Sequence, residues 1–581
     1  MLMKNHAKII PVLLAILLLV PTAVGFGSGG DQVQPYPETI TLTVGRMADL
    51  GGAFLEGEDS QNNFITRMLK DVLNIEIDVY TNGFEGDGSS YPNVLALNAA
   101  AGTLPDTFGI QNNPQSLAIF RQLVENGKLA DLTGAYASEV TGETKAYLDA
   151  NPSTSQKYTT VDGKLYGVHN GGEDFNTALL WVRQDWLDIC GLEAPKTLDE
   201  IKEVALAFME KNPGGAEKTI GICLSPDTIN GGLFGQWMGI LPVFNAFDSY
   251  PDIWIEKDGQ IVYGAVQPET KEALALLADW YAAGVFDADL MSFPNGDEVR
   301  NTYLSVVPTA CGMIFNAWWD PWVQWNGYAD ASAQFDAGIE WVAVMAPLNA
   351  DGKFVPKNER EFPSGQVVNA NCANPEAVLR AMNLISEVDT FRNPAYKDLY
   401  ETYYRPAEGV AGTRAATPFM YGLATRQMRL FIAEEINKYK ETGILDAPDY
   451  ITEGDKDYIR GAYDWVNNNT MEKWYEDTTQ GDEIAGPYMF QYVGHYCQDG
   501  VGNIYLDAAN SGIYATMPQA GFASETTADE EYGKALSDLR NIAFYEIISG
   551  LQPIDYFEEF VSLWHELGGA EITAQLNALP R

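Results

Sequence analysis

A chain of 581 residues is too long for one ordinary domain, and its 46% hydrophobic and 12% aromatic content can fill several cores. Its formal net charge of −44 excludes nucleic acid and anionic membrane surfaces as natural partners. The same field disfavours strongly anionic ligands unless a local basic pocket overrides it.

The first 25 residues read as a secretory signal. Lys4 and Lys8 precede an apolar run from Ile9 to Val20, and Ala23-Val24-Gly25 offers small residues for cleavage. The run is too short for a stable membrane span, with a retained N-terminal anchor as the competing reading. Residues 26–38, rich in Gly, Ser, Gln and Pro, read as a flexible tether.

Thr39–Val44 alternates polar and apolar residues, Asn62–Leu73 carries a helical apolar stripe, and Ile75–Val79 alternates again. This β-α-β opening favours a sheet covered by helices. An alanine-rich apolar segment, Tyr91–Ala101, leads to Pro105-Asp106, and Ser116–Asn126 reads as a further helix. Asp162-Gly163 predicts a hairpin, followed by a polar, Gly-rich passage from Asn170 to Asn176. An apolar strand, Ala178–Val182, ends at Arg183, and a short helix stops at Gly191.

Thr197-Leu198-Asp199-Glu200 is a capping box, and Pro268 stands at the first turn of another helix. Strand Cys311–Phe315 precedes Asn316-Ala317-Trp318-Trp319-Asp320-Pro321-Trp322. Further helices are predicted over 378–385, 424–440 and 458–476, with a last one ending at Gly568-Gly569.

Several of these stretches, above all DGKLYGVH (162–169) and LLWVRQDWLDICGLEAPKTLDEI (179–201), resemble the extracellular solute-binding proteins of ATP-driven importers. The resemblance is to their large LipO-like, carbohydrate-type members, and it extends from about Thr39 to Leu579. It implies an α/β fold of two lobes, each a mixed sheet flanked by helices, joined by hinge crossings. Lobe 1 is expected over 39–168 and 338–410, and lobe 2 over 178–325 and 411–581. It also implies that residues 168–178 cross between lobes and that Gln111 and Asn113 line the cleft. Relatives carry a lipid-bearing cysteine after the signal, whereas Gly25-Phe26-Gly27-Ser28 has none, so lipid anchoring stays open. Relatives also hold calcium on a DxDGNGxxD loop. Here Lys211–Lys218 offers one carboxylate, too few for six to eight oxygen ligands, so no metal site is expected.

No catalytic constellation stands out. His565-Glu566 lacks the second histidine of HExxH, and GxSxG, GxxxxGK and GxGxxG motifs are missing. Five cysteines (Cys190, Cys223, Cys311, Cys372, Cys497) lack CxxC spacing and read as buried single thiols. Trp318, Trp319, Trp322 and Trp325 are the strongest signal, because sugar rings favour flat aromatic faces beside hydrogen-bonding groups. Tryptophan is equally a core residue, so each ring has a packing role as its competing reading. Ligand-binding candidates are therefore Trp318, Trp319, Asp320, Trp322, Asn113, Gln111, His169, Glu173, Trp237 and Arg183. Arg183 could instead form a structural ion pair.

The reading is a solute-binding protein, exported and associated with the cell surface, that takes a neutral oligosaccharide and docks on a permease. It needs no cofactor and acts as a monomer, with no nucleic acid and no membrane contact beyond the permease or an anchor. The alternatives are an exported glycoside hydrolase or lyase, and a peptide-binding receptor.

Overall fold

The computed structural model describes residues 34–46, 54–80, 91–111, 114–150, 159–168, 177–225, 238–287, 289, 292–293, 296–304, 309–317, 341–357, 365–390, 393–407, 416–420, 423, 433–434, 437–439, 441–444, 501–521, 523 and 526–579. The expected signal, most of helix 424–440 and helix 458–476 lie outside these residues.

β1 (Ile40–Gly45) pairs in parallel with β2 (Ile75–Val79) across a helix, Phe64–Leu73. That helix starts where it does because Asn63 Oδ1 accepts from Ile65 N and Thr66 N, while Thr66 Oγ1 accepts from Asn63 N. β3 (Thr107–Ile110) pairs in parallel with β1 on its other side. Asp106 pins this pairing, its carboxylate accepting from Thr43 N (2.9 Å) and Thr43 Oγ1 (2.7 Å). β4 (Thr160–Val161) and β5 (Lys164–Leu165) form the predicted hairpin, with φ of 50° at Asp162 and 74° at Gly163 as a type I′ turn requires. β6 (Gly167–Val168) follows.

β7 (Ala178–Arg183) is buried along its whole length. Helix Gln184–Cys190 ends at Gly191 in the left-handed region, and helix Leu198–Lys211 opens on the predicted Thr197–Glu200 box. β8 (Trp254–Lys257) and β9 (Gln260–Tyr263) form a hairpin, and helix Pro268–Ala282 follows. β10 (Met313–Ala317) and β11 (Trp341–Val344) flank β7, both antiparallel. β12 (Gly365–Val368) returns to the first sheet, whose order is β2-β1-β3-β12-β6. Alternation puts Val368 in one core with Leu42, Val44 and Ile77, and Val367 in another with Phe108 and Phe120, so helices cover both faces.

The second core gathers β7, β10, β11 and the C-terminal helices around Trp181, Trp186, Trp280 and Trp564. Among the described residues Cys190, Cys223, Cys311 and Cys372 are unbridged, and no helix is long and apolar enough to cross a membrane.

Three boundaries differ from the sequence-based expectation. The return to lobe 1, placed at 338, comes only at β12, because β11 completes the second sheet against β7. Lobe 1, expected to close at 410, also includes Ala416, Phe419 and Leu423 in its core. The tether's last residues are docked. Tyr36 N donates to Leu73 O (2.9 Å), its hydroxyl donates to Glu376 (2.8 Å), and Arg380 lies 4.5 Å from its ring. The last predicted helix breaks at Gly568 (φ 121°), as expected, and a further helix, Ala570–Ala578, follows it.

Candidate functional site

The strand ends of both sheets converge on the crossing between them. In the first sheet β1 ends at Gly45, β3 at Ile110 and β6 at Val168. The register sets these together, with Gly45 opposite Phe108, Gly365 opposite Ile110, and Gln366 opposite Val168. Carboxyl ends of parallel strands are where open α/β sheets hold ligands, since helix N-termini and loops gather there.

In the second sheet Ala317, the last residue of β10, lies opposite Ala178, the first of β7. β10 therefore ends at the edge where β7 begins. Residues 169–176 link the two edges, and a chain of that length spans at most roughly 30 Å. One strand edge thus stands at each end of this crossing.

Few of the candidate side chains fall within the described residues. Gln111 follows β3 directly, half-buried, at the converging edge. Trp318, Trp319, Asp320, Trp322, Asn113, His169, Glu173 and Trp237 lie outside the described residues. The neighbours of several are described, and they lie together. Trp181 Nε1 donates to Ala317 O (3.2 Å), which fixes the point where the Trp318 stretch starts. Met238 N, next to Trp237, donates to Asn316 Oδ1 (3.3 Å).

Arg183 lies away from the converging edge. It sits at the far end of β7 from Ala178, five residue steps or roughly 17 Å along the strand. Only 3% exposed, it donates from Nε to Asp185 (2.6 Å) and from Nη1 to Thr309. Its guanidinium also lies 4.7 Å from the Trp186 ring and 5.8 Å from that of Trp341. These contacts make it a scaffold residue, tying β7 to the following helix.

Sequence reasoning missed Arg46. It is 5% exposed and follows β1 at the converging edge beside β3. The available signal was a charged residue directly after the first alternating strand, in Val44-Gly45-Arg46.

The 211–218 loop is held by its own groups. Asn212, with φ 46°, donates through Nδ2 to Ala216 O (2.8 Å) and accepts from Thr219 Oγ1 (2.6 Å). Lys218 reaches out of it to the buried Asp287, which also receives Tyr303. Burial opposes ionisation of Asp287, but Lys218, Tyr303 and the Asp289 N–H together hold its carboxyl below the ordinary value. Among the described residues no group of three His, Cys, Asp or Glu side chains could hold a metal. A chelator is expected to leave the melting temperature unchanged. A fall of several degrees, reversed by calcium, would overturn that expectation.

No protein-family model matches the chain. Its curated relatives include the polygalacturonan/rhamnogalacturonan-binding protein YtcQ of Bacillus subtilis, 29% identical over 188 residues, or 31% of this chain and 33% of YtcQ. They also include the fructooligosaccharide ABC transporter substrate-binding protein FusA of Streptococcus pneumoniae, 25% identical over 294 residues, covering 47% of this chain and 52% of FusA. The lipoprotein LipO of Bacillus subtilis is 26% identical over 212 residues, covering 35% of this chain and 38% of LipO. The matches thus span from a third to about half of those relatives.

Among solved structures, an HMO-binding solute-binding protein of Bifidobacterium longum infantis superimposes with a TM-score of 0.54 at 14% identity, over 93% of this chain and 98% of that one. The alginate-binding protein AlgQ2 gives 0.51 at 14% identity, over 94% and 99%. The chain is related to the extracellular solute-binding proteins of ABC importers and has their two-lobed fold. This fold is the α/β architecture expected from the sequence, but only the first sheet is mixed as expected, because β10 and β11 both pair antiparallel with β7.

Proposed function

We propose that this protein is an exported, cell-surface solute-binding protein that captures a neutral oligosaccharide between its lobes and delivers it to the permease of an ABC importer. The observation that carries this reading is the convergence of Gly45, Ile110 and Val168 in one sheet, and of Ala178 and Ala317 in the other, on a single crossing. Gln111 and Arg46 supply polar groups on the first side, and the sequence that follows Ala317 on the second is rich in tryptophan. Apolar ring faces on tryptophan with polar edges on amides and guanidinium suit a sugar.

Sugar-binding relatives support the ligand class. A net charge of −44 favours a neutral glycan over a polyuronate. The lipoprotein relative and the apolar run Ile9–Val20 support export. That YtcQ and FusA are binding proteins also supports binding over hydrolysis. The direct test is incubation with a labelled glycan panel. Unchanged glycan with a rise in melting temperature supports capture, whereas shortened products would make the protein a glycosidase or lyase.

Capture closes the lobes about residues 168–178, where Gly171 and Gly172 absorb backbone rotation more readily than a packed strand. Small-angle scattering at saturating ligand is expected to give a smaller radius of gyration than the free protein. Identical profiles would count against hinge closure.

A further inference from the structure

One row of the first sheet carries Gly109 of β3 opposite Gln366 of β12, and Gln366 in turn opposite Val168 of β6. Val168 ends β6, so the crossing to the other lobe starts from this row. β1 stops one row short, its Gly45 lying opposite Phe108. The Tyr91 hydroxyl takes up both backbone groups of Gly109, donating to its O (3.1 Å) and accepting from its N (3.2 Å). A distant segment lies on the same row. Ala416 and Phe419 are sunk in the lobe 1 core, whereas Met420, the next residue, is only half-buried. Met420 N donates to Gln366 Oε1 (3.2 Å), while Gln366 Nε2 donates to Thr107 Oγ1 (2.7 Å). Gln366 is 0% exposed, so both ends of its amide are satisfied, as burial demands. The Met420 side chain rests against Gly109. A Cβ on that glycine would lie 2.7 Å from Met420 Cβ and 2.9 Å from its Cγ, and would strike Sδ.

We infer that Met420 is a ligand-contacting residue, an apolar floor of the site on the lobe 1 side, seated by Gly109 and Gln366. This rests on the oligosaccharide-binding reading above. A thioether that served only the core would be enclosed by it, whereas this one stays partly open on the row from which Val168 leaves for the other lobe. Gln111 follows Gly109 by two residues, roughly 7 Å along the chain, and brings a half-buried amide to the same edge. An apolar contact near a hydrogen-bonding group suits the face and edge of a sugar ring. Methionine is unbranched and polarisable, so such a floor adapts to glycans of differing shape.

The test is methyl NMR on the parent protein, carrying carbon-13 methionine methyls and titrated with the tightest glycan from the panel. The Met420 resonance, identified by its loss in Met420→Leu, is expected to show direct magnetisation transfer from sugar protons. The methyl of Met68, 0% exposed in the lobe 1 core, is expected to show none. Met420→Ala is expected to bind about tenfold more weakly, the scale of losing one half-buried apolar side chain, with Met420→Leu recovering most of that loss. Gly109→Ala, which pushes the thioether off its seat, is expected to weaken binding in the same direction. Should the alanine variants not fold, the sugar contacts of the parent decide alone.

No sugar contact at saturation, or a Met420→Ala variant that binds within threefold of the parent, would overturn the assignment and leave glycan capture standing. A parent that binds no glycan would overturn the functional reading, and the assignment with it.

Discussion

Replacing the stacking tryptophan of the Trp318-Trp319 pair with alanine is expected to cost roughly 2–4 kcal/mol of binding, the scale of an interface hot spot. That corresponds to about a 30- to 1,000-fold rise in dissociation constant. The reason is positional. β10 ends at Ala317, opposite Ala178, the first residue of β7 after the inter-lobe crossing. Pro321 restricts the backbone that follows. Adjacent residues point to opposite sides if the segment is extended, so one ring is expected to meet the sugar and its neighbour to support it. Truncating the supporting ring is expected to lower thermal stability instead. Calorimetric titration of Trp318→Ala and Trp319→Ala, beside their melting curves, separates the two roles. If both variants bind within threefold of the parent, the site lies elsewhere and Trp237 becomes the next candidate.

Arg183→Ala is expected to do the opposite, destabilising the fold by about 3–5 kcal/mol while leaving affinity intact well below the melting temperature. Its guanidinium is buried between Asp185, Thr309, Trp186 and Trp341, so its removal strips the Asp185 carboxylate of its charge partner and leaves a void beside two indole rings. Asp185 keeps a 23% exposed side chain, so water can take over part of the lost interaction and the lower end of the range is the expected one. Arg183→Met combined with Asp185→Leu is expected to recover much of the loss, because an apolar pair of similar volume carries no desolvation cost. Chemical denaturation and ligand titration on the same samples check both halves. Weaker binding at unchanged stability would return Arg183 to the ligand site.

Many local features were legible from short stretches. Thr197 and Glu200 stand three apart before an apolar run, and the capping box they form needs nothing beyond that turn of chain. Asp162-Gly163 can adopt two successive positive φ values more cheaply than most dipeptides, so the hairpin follows from two residues. Gly191 and Pro268 mark a helix end and a helix start for similarly local reasons. The aromatic stretch after β10 and the small-residue crossing after Val168 were visible in the same way, as composition.

The destination of each strand was not visible. Trp341–Val344 and Gly365–Val368 are both short apolar strands, yet the first completes the second sheet and the second completes the first. Alternation states which face of a strand is buried, but the partner is chosen by edges formed more than 150 residues earlier, Leu180–Arg183 for one and Thr107–Ile110 for the other. Arg183 shows the same limit at the scale of one residue. The sequence places it at a strand end, and only the pairing of Ala317 with Ala178 decides that the other end faces the crossing.

Tyr36 reads as part of a tether until Leu73, Glu376 and Arg380 close on it from distant parts of the chain. By itself, then, the sequence determined the capped helices, the turns, the strongly negative net charge and the run of tryptophans after β10. Only the tertiary structure decided which lobe each segment joins and which strand ends meet. Caps and turns are settled by groups a few residues apart, whereas strand partners and buried ion pairs depend on surfaces that exist only once distant segments have packed.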